Sequence, residues 1–277
     1  SSAELGLGED LSPAGGIIEL NHDAPVGHDF FDYMKLDDHI IDIELTPNRG
    51  DCACLHGIAR EVALSQGEGK LVQRYWSSVR DLDGTTLSPV KQLVSPEQCS
   101  VYYSRVIRDI DESASTPVWM QERLRRSGLR SLNPVVDVLN YVMLEMGQPM
   151  HAFDLERLQG DVLVRSAVHG EKLTLLDGRD IELDAESLVI ADESGALALA
   201  GVAGGNHAAV GDTTKHVLLE SAYFDPVSIR RTAATLNLQT DSSYRFERGV
   251  DFQLQKEALE RATALLIDIV GGQVGVM

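Results

Sequence analysis

The sequence has few cysteines, few aromatic residues and little positive charge for its 277 residues. Its three cysteines, Cys52, Cys54 and Cys99, cannot form a paired disulfide framework, which favours a reducing, cytoplasmic setting. It contains no apolar run long enough to span a bilayer, and its first residues lack the features of a signal peptide. We therefore expect a soluble protein with no membrane segment. Because the chain begins without methionine and in mid-pattern, we also expect it to be a fragment of a longer chain.

The motif Cys52-Ala-Cys54-Leu-His56 offers three potential zinc ligands. A structural zinc site uses four ligands and usually a wider gap between its cysteines. We therefore predict no metal site here and expect the cysteines to pack around the start of a helix.

The formal net charge is −19, from 24 basic and 43 acidic residues. A strongly acidic chain does not attract phosphate backbones through its overall field. Any contact with nucleic acid must then be local, or come from another part of a larger assembly. The one basic cluster consists of Arg123, Arg125, Arg126 and Arg130. It is either a solvated helix face or such a local contact, and the sequence leaves both open.

Residues 39–45 alternate between apolar and polar types, which predicts a strand. A helix should follow, with Asp51 as its cap and Leu55, Ile58, Ala59 and Val62 on its apolar face. Residues 67–98 are rich in glycine, serine and aspartate, which is typical of a linker.

A second helix is predicted after Asn133-Pro134, with Gly147 as its end. Its apolar stripe is formed by Val135, Val138, Leu139, Val142 and Met146. Asn140 falls off this stripe, so its amide is free to point elsewhere. We expect His151 to lie in a short loop between Pro149 and Phe153.

The rest of the chain is rich in predicted strands, with a hairpin at Asp177-Gly178. Helices are expected from Pro117 to Gly128, from Asp225 to Leu236 and from about Asp251 to Val270. Helices outside a strand-rich middle indicate an α+β fold with a mixed or antiparallel sheet core and flanking helices.

Three further stretches are candidates for a site. The glycines after Ala200 either form a tight turn or let a ligand approach the backbone closely. Glu220 lies in an apolar strand and is either buried, where a carboxylate needs a partner, or at a solvent-facing edge. Residues 238–249 form a polar loop that either lines a pocket or carries surface Arg/Glu ion pairs.

The sequence contains no common motif for a catalytic nucleophile or for phosphate binding. Ser242 and Ser243 lack the context of a nucleophile elbow, and no phosphate-binding or dinucleotide-binding glycine pattern occurs. From its residues alone the chain is an α+β module with a pocket containing His, Glu, Asn and Gly.

Several ordered blocks resemble the beta subunit of bacterial phenylalanine–tRNA synthetase. They are ELTPNRGDC, HGIAREVAL, SLNPVVDVLNYVMLEMGQPMHAFD, AGVAGG and LLESAYFDPVSIRRTAATLNLQTDSSYRFERGVD. The resemblance implies the tail of an OB-like tRNA-binding domain at 1–34, a small α/β connecting domain and linker at 35–95, and a tRNA-editing domain at 96–277.

The resemblance also implies site residues and their roles. His151, Asn140 and Arg130 would be the catalytic group, with His151 and Asn140 placing the ester and the attacking water. The residues implied for substrate binding are Glu220, Gly201, Gly204, Thr240 and Ser242. Glu220 and the Gly204 amide would recognise a tyrosine hydroxyl. Ser242 replaces the alanine expected in TDAS-type sequences, which changes the polarity of the pocket but little of its volume.

The implied function is hydrolysis of tyrosine wrongly esterified to the phenylalanine tRNA, as part of phenylalanine–tRNA ligase. The alternative is a non-catalytic region of the same subunit that serves structure and tRNA docking. The implied partners are an alpha subunit, in a heterotetramer of two alpha and two beta subunits, and the tRNA. No cofactor is expected in this chain. ATP and magnesium are expected for the whole cytoplasmic enzyme, whose adenylate chemistry this chain should not perform alone.

Overall fold

The computed structural model of the chain describes residues 17–20, 24–67, 90–93, 95 and 97–277. The chain divides into two compact units. The smaller unit comprises Ser1–Asp42 and Pro117–Ser131, and the larger comprises Ile43–Thr116 and Leu132–Met277. Much of the OB-like tail predicted at 1–34, and most of the linker predicted at 67–98, lie outside the described residues.

No helix was predicted at Phe30–Met34 or at Asp241–Phe246, whereas the other helices follow predicted segments. The described residues contain seven α-helices. They are α1 (Phe30–Met34), α2 (Leu55–Ser65), α3 (Val118–Arg126), α4 (Pro134–Met146), α5 (Pro226–Thr235), α6 (Asp241–Phe246) and α7 (Gln255–Val270).

The strands of the described residues form three sheets, of which two are large. They are β1 (Val90–Leu93), β2 (Cys99–Arg108), β3 (Met150–Asp154), β4 (Val162–Ser166), β5 (Glu171–Thr174), β6 (Asp180–Leu183), β7 (Leu188–Asp192), β8 (Gly195–Leu199), β9 (Ala203–Gly204), β10 (Val217–Phe224) and β11 (Gln273–Val274). The five-stranded sheet has the order β1-β4-β7-β8-β9, the four-stranded sheet has the order β11-β2-β10-β3, and β5 pairs with β6. Only β1 and β4 pair in parallel among these strands, so the predicted α+β class with mixed and antiparallel sheets is confirmed.

One hydrophobic core joins the two large sheets. Phe153 of β3, Leu218 of β10 and Leu199 of β8 are all buried in it, together with Phe224 and Ile229. The helices α4 and α7 pack together and against the four-stranded sheet. A partly buried ion pair joins Arg105 of β2 to Glu260 of α7 at 3.0 Å.

Helix α4 forms as its sequence predicts. Asn133 accepts a hydrogen bond from the backbone N–H of Val136 at 3.0 Å, and Pro134 takes the first helical position. Gly147 ends the helix with a φ of +86°, a conformation that glycine adopts without steric cost. The five residues of the predicted apolar stripe are all buried. This helix ends at Met146, five residues before His151.

The predictions for residues 39–56 are partly wrong. Residues 39–45 form no strand. Ile40, Ile41 and Ile43 are exposed, which leaves the alternating pattern without a surface to pack on. Helix α2 does form, but its cap is Cys54, whose sulfur accepts from Gly57 N at 3.3 Å.

The predicted apolar face of α2 is also only partly correct. Ile58 and Ala59 are half-buried, whereas Leu55 and Val62 are exposed. Asp51 lies in a 3-10 turn, Gly50–Cys52, instead of capping the helix.

Three arginines of the basic cluster lie on α3, in the smaller unit, and contact side chains of that unit. Arg125 and Arg126 both pair with the buried Glu122, and Arg126 also pairs with Asp38 at 2.7 Å. The Arg123 guanidinium lies 5.2 Å from the centre of the Trp119 ring. These contacts favour the interpretation of the cluster as part of a helix surface.

In the described part of the chain, no helix combines the length and the apolar character that crossing a membrane requires.

Candidate functional site

A cavity of about 110 Å³ lies in the larger unit and is lined by both large sheets, by the turn after β8 and by α6. Most of its walls are apolar, and Glu220, His151 and Ser242 bring polar side chains to it. An engineered apolar cavity of roughly 150 Å³ accepts benzene, so this volume is of the order needed for a single ring. The remaining lining residues are Pro149, Met150, Ile190, Ala198, Leu199, Gly201, Val202, Ala203, Phe224 and Phe246.

Strand pairing brings His151 and Glu220 together. In the antiparallel pair of β10 and β3, Glu220 lies directly opposite His151. Directly opposed residues of neighbouring strands project from the same face of the sheet, with their Cβ atoms about 5 Å apart. His151 therefore lies on a strand and not in the predicted loop, because the chain after Pro149 pairs with β10.

Glu220 is buried, as its position in an apolar strand predicts, with 4% of its surface exposed. Its Oε2 accepts a hydrogen bond from the Tyr102 hydroxyl at 3.1 Å. Burial disfavours the charged carboxylate and raises the pKa of Glu220 to about 8, although the Tyr102 hydrogen bond acts in the opposite direction. At neutral pH most Glu220 side chains are therefore protonated.

His151 presents an unsatisfied nitrogen to its surroundings. Its Nε2 atom is buried and has no hydrogen-bond partner among the described residues. The ring packs edge-on against Phe153, with 4.6 Å between the ring centres. Burial lowers the pKa of His151 to about 4, so the imidazole is neutral at pH 7. A buried nitrogen without a partner indicates a place for a polar ligand or a water.

The glycines of the 200–205 segment are required for two different reasons. Gly201 lies in the turn after β8 with a φ of +67°, and a Cβ there would lie 2.8 Å from Ile229 Cδ1. Gly204 has no positive φ and lies in β9, so the tight turn precedes it. A Cβ on Gly204 would lie 2.6 Å from Cε1 of His151. The absence of a side chain at Gly204 thus gives the His151 ring its space.

Residues 238–249 contain the short helix α6 where a loop was expected. Thr240 caps it, accepting from Ser243 N at 3.0 Å, and donates to the Val202 carbonyl at 2.7 Å. Ser242 lines the cavity, whereas Thr240 acts at its edge through Val202. One Arg/Glu ion pair of the kind considered is present, between Arg248 and Glu247, whereas the buried Arg245 pairs with Asp241.

Four of the predicted site residues are not among those that line the cavity. Gly204 and Thr240 lie beside the lining residues His151 and Val202. Asn140 is a half-buried residue of α4 and is not part of the lining. Arg130 belongs to the smaller unit. Their assignment to the site stays a prediction.

The cysteine motif does not gather the ligands that its sequence suggests. Cys52 lies near Asp51 and Glu61, in a grouping of potential metal ligands. The guanidinium of Arg49 donates to all three of these side chains, at 2.7–3.0 Å. This cation pairs with both carboxylates and offsets part of their charge, which reduces what a metal ion would gain there.

Two features of the site were not predicted from the sequence: an aromatic wall formed by Phe224 and Phe246, and the partner of Glu220. Phe224 and Phe246 meet edge to face, with 5.2 Å between their ring centres, and line the cavity. Tyr102 bonds to Glu220 although 118 residues separate them. Alternation within β2 marks which of its residues share a face, but only the pairing of β2 with β10 shows that Tyr102 reaches Glu220.

Comparison with known proteins identifies the class. The sequence profile described as "B3/4 domain" matches residues 98–271, which include the whole lining of the cavity. The chain belongs to this family.

Named relatives make the resemblance more specific. The chain is 56% identical over 275 residues to the phenylalanine--tRNA ligase beta subunit of Methylococcus capsulatus, covering 99% of this chain and 34% of that protein. It is 50% identical over 284 residues to the beta subunit of Pectobacterium atrosepticum, with the same coverage. The chain thus corresponds to part of a phenylalanine–tRNA ligase beta subunit and spans about a third of the length of these relatives.

A solved N-terminal fragment of the phenylalanyl-tRNA synthetase beta subunit from Pyrococcus horikoshii is more distant. It is 13% identical, with a TM-score of 0.44 over 83% of this chain and 60% of that one. A similarity of this size says nothing further about the site.

Proposed function

We propose that this chain hydrolyses tyrosine esterified to the phenylalanine tRNA, and that the cavity between the two large sheets holds the tyrosine side chain. The observation that carries the proposal is the opposition of Glu220 and His151 across β10 and β3 in a cavity of the size of one ring. The beta-subunit relatives supply the tRNA as the expected carrier of the ester.

The cavity is suited to selecting tyrosine against phenylalanine. Its apolar wall, with Phe224 and Phe246, accepts either ring. Only tyrosine brings a hydroxyl that can pair with a buried polar group such as Glu220. A site built to bind a hydroxyl rejects the analogue that lacks it, because phenylalanine leaves the buried group unpaired.

His151 is proposed to orient the ester and the attacking water. A general base works best when its pKa lies near the working pH, and the pKa of His151 lies at about 4. Its unpaired Nε2 is better suited to holding a water or an ester oxygen in place. Asn140 and Arg130 are proposed to contact the ester-bearing end of the tRNA. Gly201, Gly204, Thr240 and Ser242 would shape the wall.

The wider assignments follow from the beta-subunit relatives and are part of the proposal. The domains are proposed as an OB-like tail at 1–34, a connecting domain at 35–95 and an editing domain at 96–277. The partner is proposed to be a synthetase alpha subunit in a cytoplasmic heterotetramer, which would use ATP and magnesium for aminoacylation elsewhere in the assembly.

Replacing Gly204 by phenylalanine tests the proposal directly. A Cβ at this position already meets the His151 ring, so a benzyl group should exclude the tyrosine ring. In the full-length, assembled protein we expect Gly204→Phe to retain phenylalanine charging and to accumulate Tyr-tRNA. Gly204→Ala should give a smaller effect, because a methyl group requires only the His151 ring and the end of the Leu176 side chain to move.

Gly211→Phe is the matched control, since a Cβ on Gly211 meets nothing within 4 Å and its φ is not positive. Tyr-tRNA deacylation is compared at equal folded concentration, with melting curves for each variant. A folded Gly204→Phe protein that deacylates at the parent rate would remove Gly204 from the site. A parent protein that does not deacylate Tyr-tRNA would favour the docking function instead.

A further inference from the structure

We propose that Tyr102 positions Glu220 to recognise a phenolic hydroxyl and so sets the preference for tyrosine over phenylalanine. The inference rests on the proposed function and adds to it a specificity-determining residue outside the cavity wall.

Tyr102 lies on β2, the strand next to Glu220, and on the same face of the sheet. In the antiparallel pair of β2 and β10, Tyr102 lies opposite Ala222, and Glu220 lies opposite Ser104. Tyr102 is therefore the diagonal neighbour of Glu220 on one face of the sheet, a separation that a tyrosine side chain can bridge. Its hydroxyl reaches Glu220 Oε2 at 3.1 Å, while Tyr102 itself is not part of the cavity lining.

This contact decides which carboxyl oxygen meets the ligand. Because Tyr102 donates to Oε2, Oε1 is the oxygen left for a group in the cavity. When Glu220 is protonated, the hydrogen bond from Tyr102 to Oε2 favours the proton on Oε1, where it can be donated to the oxygen of a tyrosine hydroxyl. When Glu220 is ionised, Oε1 can accept the hydroxyl proton of the ligand in a hydrogen bond instead. In both states Tyr102 keeps one defined oxygen directed at the ligand.

Without the Tyr102 hydroxyl this definition is lost. Oε2 would be buried without a partner, and the carboxyl group could rotate to exchange its two oxygens or carry its proton on either. A bound tyrosine would then face a Glu220 carboxyl group without a fixed orientation. Phenylalanine has no hydroxyl and makes no hydrogen bond to Glu220, so its binding would not change. The loss should thus fall on the tyrosine ester, which separates positioning from a general role in folding.

The neighbouring Tyr103 provides a matched control. It lies opposite Ser221 on β10, so alternation directs its side chain to the other face of the sheet. Tyr102→Phe and Tyr103→Phe each remove one hydroxyl from the same strand, and only the first removes the hydrogen bond to Glu220.

The test uses the full-length, assembled protein and measures kcat and KM for deacylation of Tyr-tRNA and Phe-tRNA. We expect Tyr102→Phe to lower the tyrosine-to-phenylalanine ratio of kcat/KM by roughly tenfold, as the loss of one buried hydrogen bond implies. Tyr103→Phe should leave the ratio unchanged. In a Glu220→Gln background, Tyr102→Phe should change the ratio little further, because Tyr102 acts through Glu220.

Two kinetic results would overturn the inference alone. The first is an unchanged ratio in Tyr102→Phe, and the second is an equal loss for both esters with a lowered melting temperature. In either case the parent's deacylation activity would still support the proposed function.

Calorimetric binding of free tyrosine and free phenylalanine distinguishes the remaining outcomes. If the parent does not deacylate but prefers tyrosine, and Tyr102→Phe loses that preference, the hydrolytic function fails and the role of Tyr102 stands. A parent that neither deacylates nor prefers tyrosine would overturn both.

Discussion

Glu220 and His151 face each other without carrying opposite charges. Burial raises the pKa of the acid to about 8 and lowers the pKa of the imidazole to about 4. Around neutral pH the protonated carboxyl and the neutral imidazole are therefore the major forms. An uncharged pair can exchange hydrogen bonds with a neutral phenol and an ester without the cost of burying an ion.

The raised pKa of Glu220 makes a prediction about stability. Between about pH 4.5, the reference value, and pH 8 the folded state holds a proton that the unfolded state has released. The stability contributed by the protonated acid is full below this window and is lost as the pH rises through it, by an amount on the order of a few kcal/mol. The amide in Glu220→Gln cannot titrate. The melting temperature of this variant should therefore rise relative to that of the parent as the pH increases from 4.5 to 8. Parallel melting curves over this range would show that Glu220 is not held protonated.

Gly201 and Gly178 form a natural pair for separating backbone strain from overpacking. Both have positive φ, +67° and +83°, but a Cβ on Gly178 meets nothing within 4 Å, whereas one on Gly201 meets Ile229, Phe224 and Phe246. Gly178→Ala should cost about 1–2 kcal/mol of unfolding free energy from backbone strain. Gly201→Ala should cost a further 1–3 kcal/mol, roughly, because the aromatic wall must move. Equal losses of unfolding free energy in the two variants, measured by denaturant unfolding, would mean that the aromatic wall moves at no energetic cost.

At the scale of elements, local patterns predicted most helices and strands. Helix α4 has a cap, an apolar stripe and a terminating glycine within its own sequence, so its prediction needed no distant contact. Residues 39–45 have an equally regular pattern and form no strand, because alternation supplies a face but not a pairing partner. His151 was expected in a loop for the converse reason, since its pairing partner β10 lies some 70 residues further along the chain.

Helix α6 depends on Thr240 for both its start and its position. The side chain accepts from Ser243 N and donates to the Val202 carbonyl, which joins the cap to the turn beside the cavity. Thr240→Ala should cost about 0.5–2 kcal/mol in unfolding free energy and should weaken tyrosine binding, because Ser242 and Phe246 lie on α6. Thr240→Ser keeps the hydroxyl and should restore both properties. Failure of the serine variant to restore binding would indicate that the threonine methyl group, and not the hydroxyl, matters.

At the scale of the molecule, the candidate site is assembled from distant parts of the chain. Tyr102, His151, Gly204 and Glu220 come from four strands. Strand pairing joins β2, β3 and β10 in one sheet, and the packing of the other large sheet places Gly204 beside His151. Sequence reasoning could select Glu220, as a carboxylate in an apolar strand, without any knowledge of its partner. The roles of His151 and Gly204 came from the family resemblance, and Tyr102 became visible only in the folded sheet.

The charge of the whole chain leads to a last prediction, about tRNA binding. With a net charge of −19, and with Arg125 and Arg126 engaged by Glu122, the 277-residue chain alone should neutralise few phosphates. Each phosphate contact adds about 0.7–0.9 to the slope of log affinity against log salt concentration. We expect the slope for the isolated chain to correspond to no more than about two contacts, or roughly a tenfold loss of affinity between 50 and 200 mM salt.

The full-length, assembled protein is the control, and it should show a steeper slope if other parts of the assembly hold the tRNA. Filter binding over this salt range measures both slopes. A loss of a thousandfold or more for the isolated chain, typical of six or more phosphate contacts, would show that a local basic surface outweighs its acidic field. The smaller unit, with Arg123 and Arg130, would then be the first place to look for that surface.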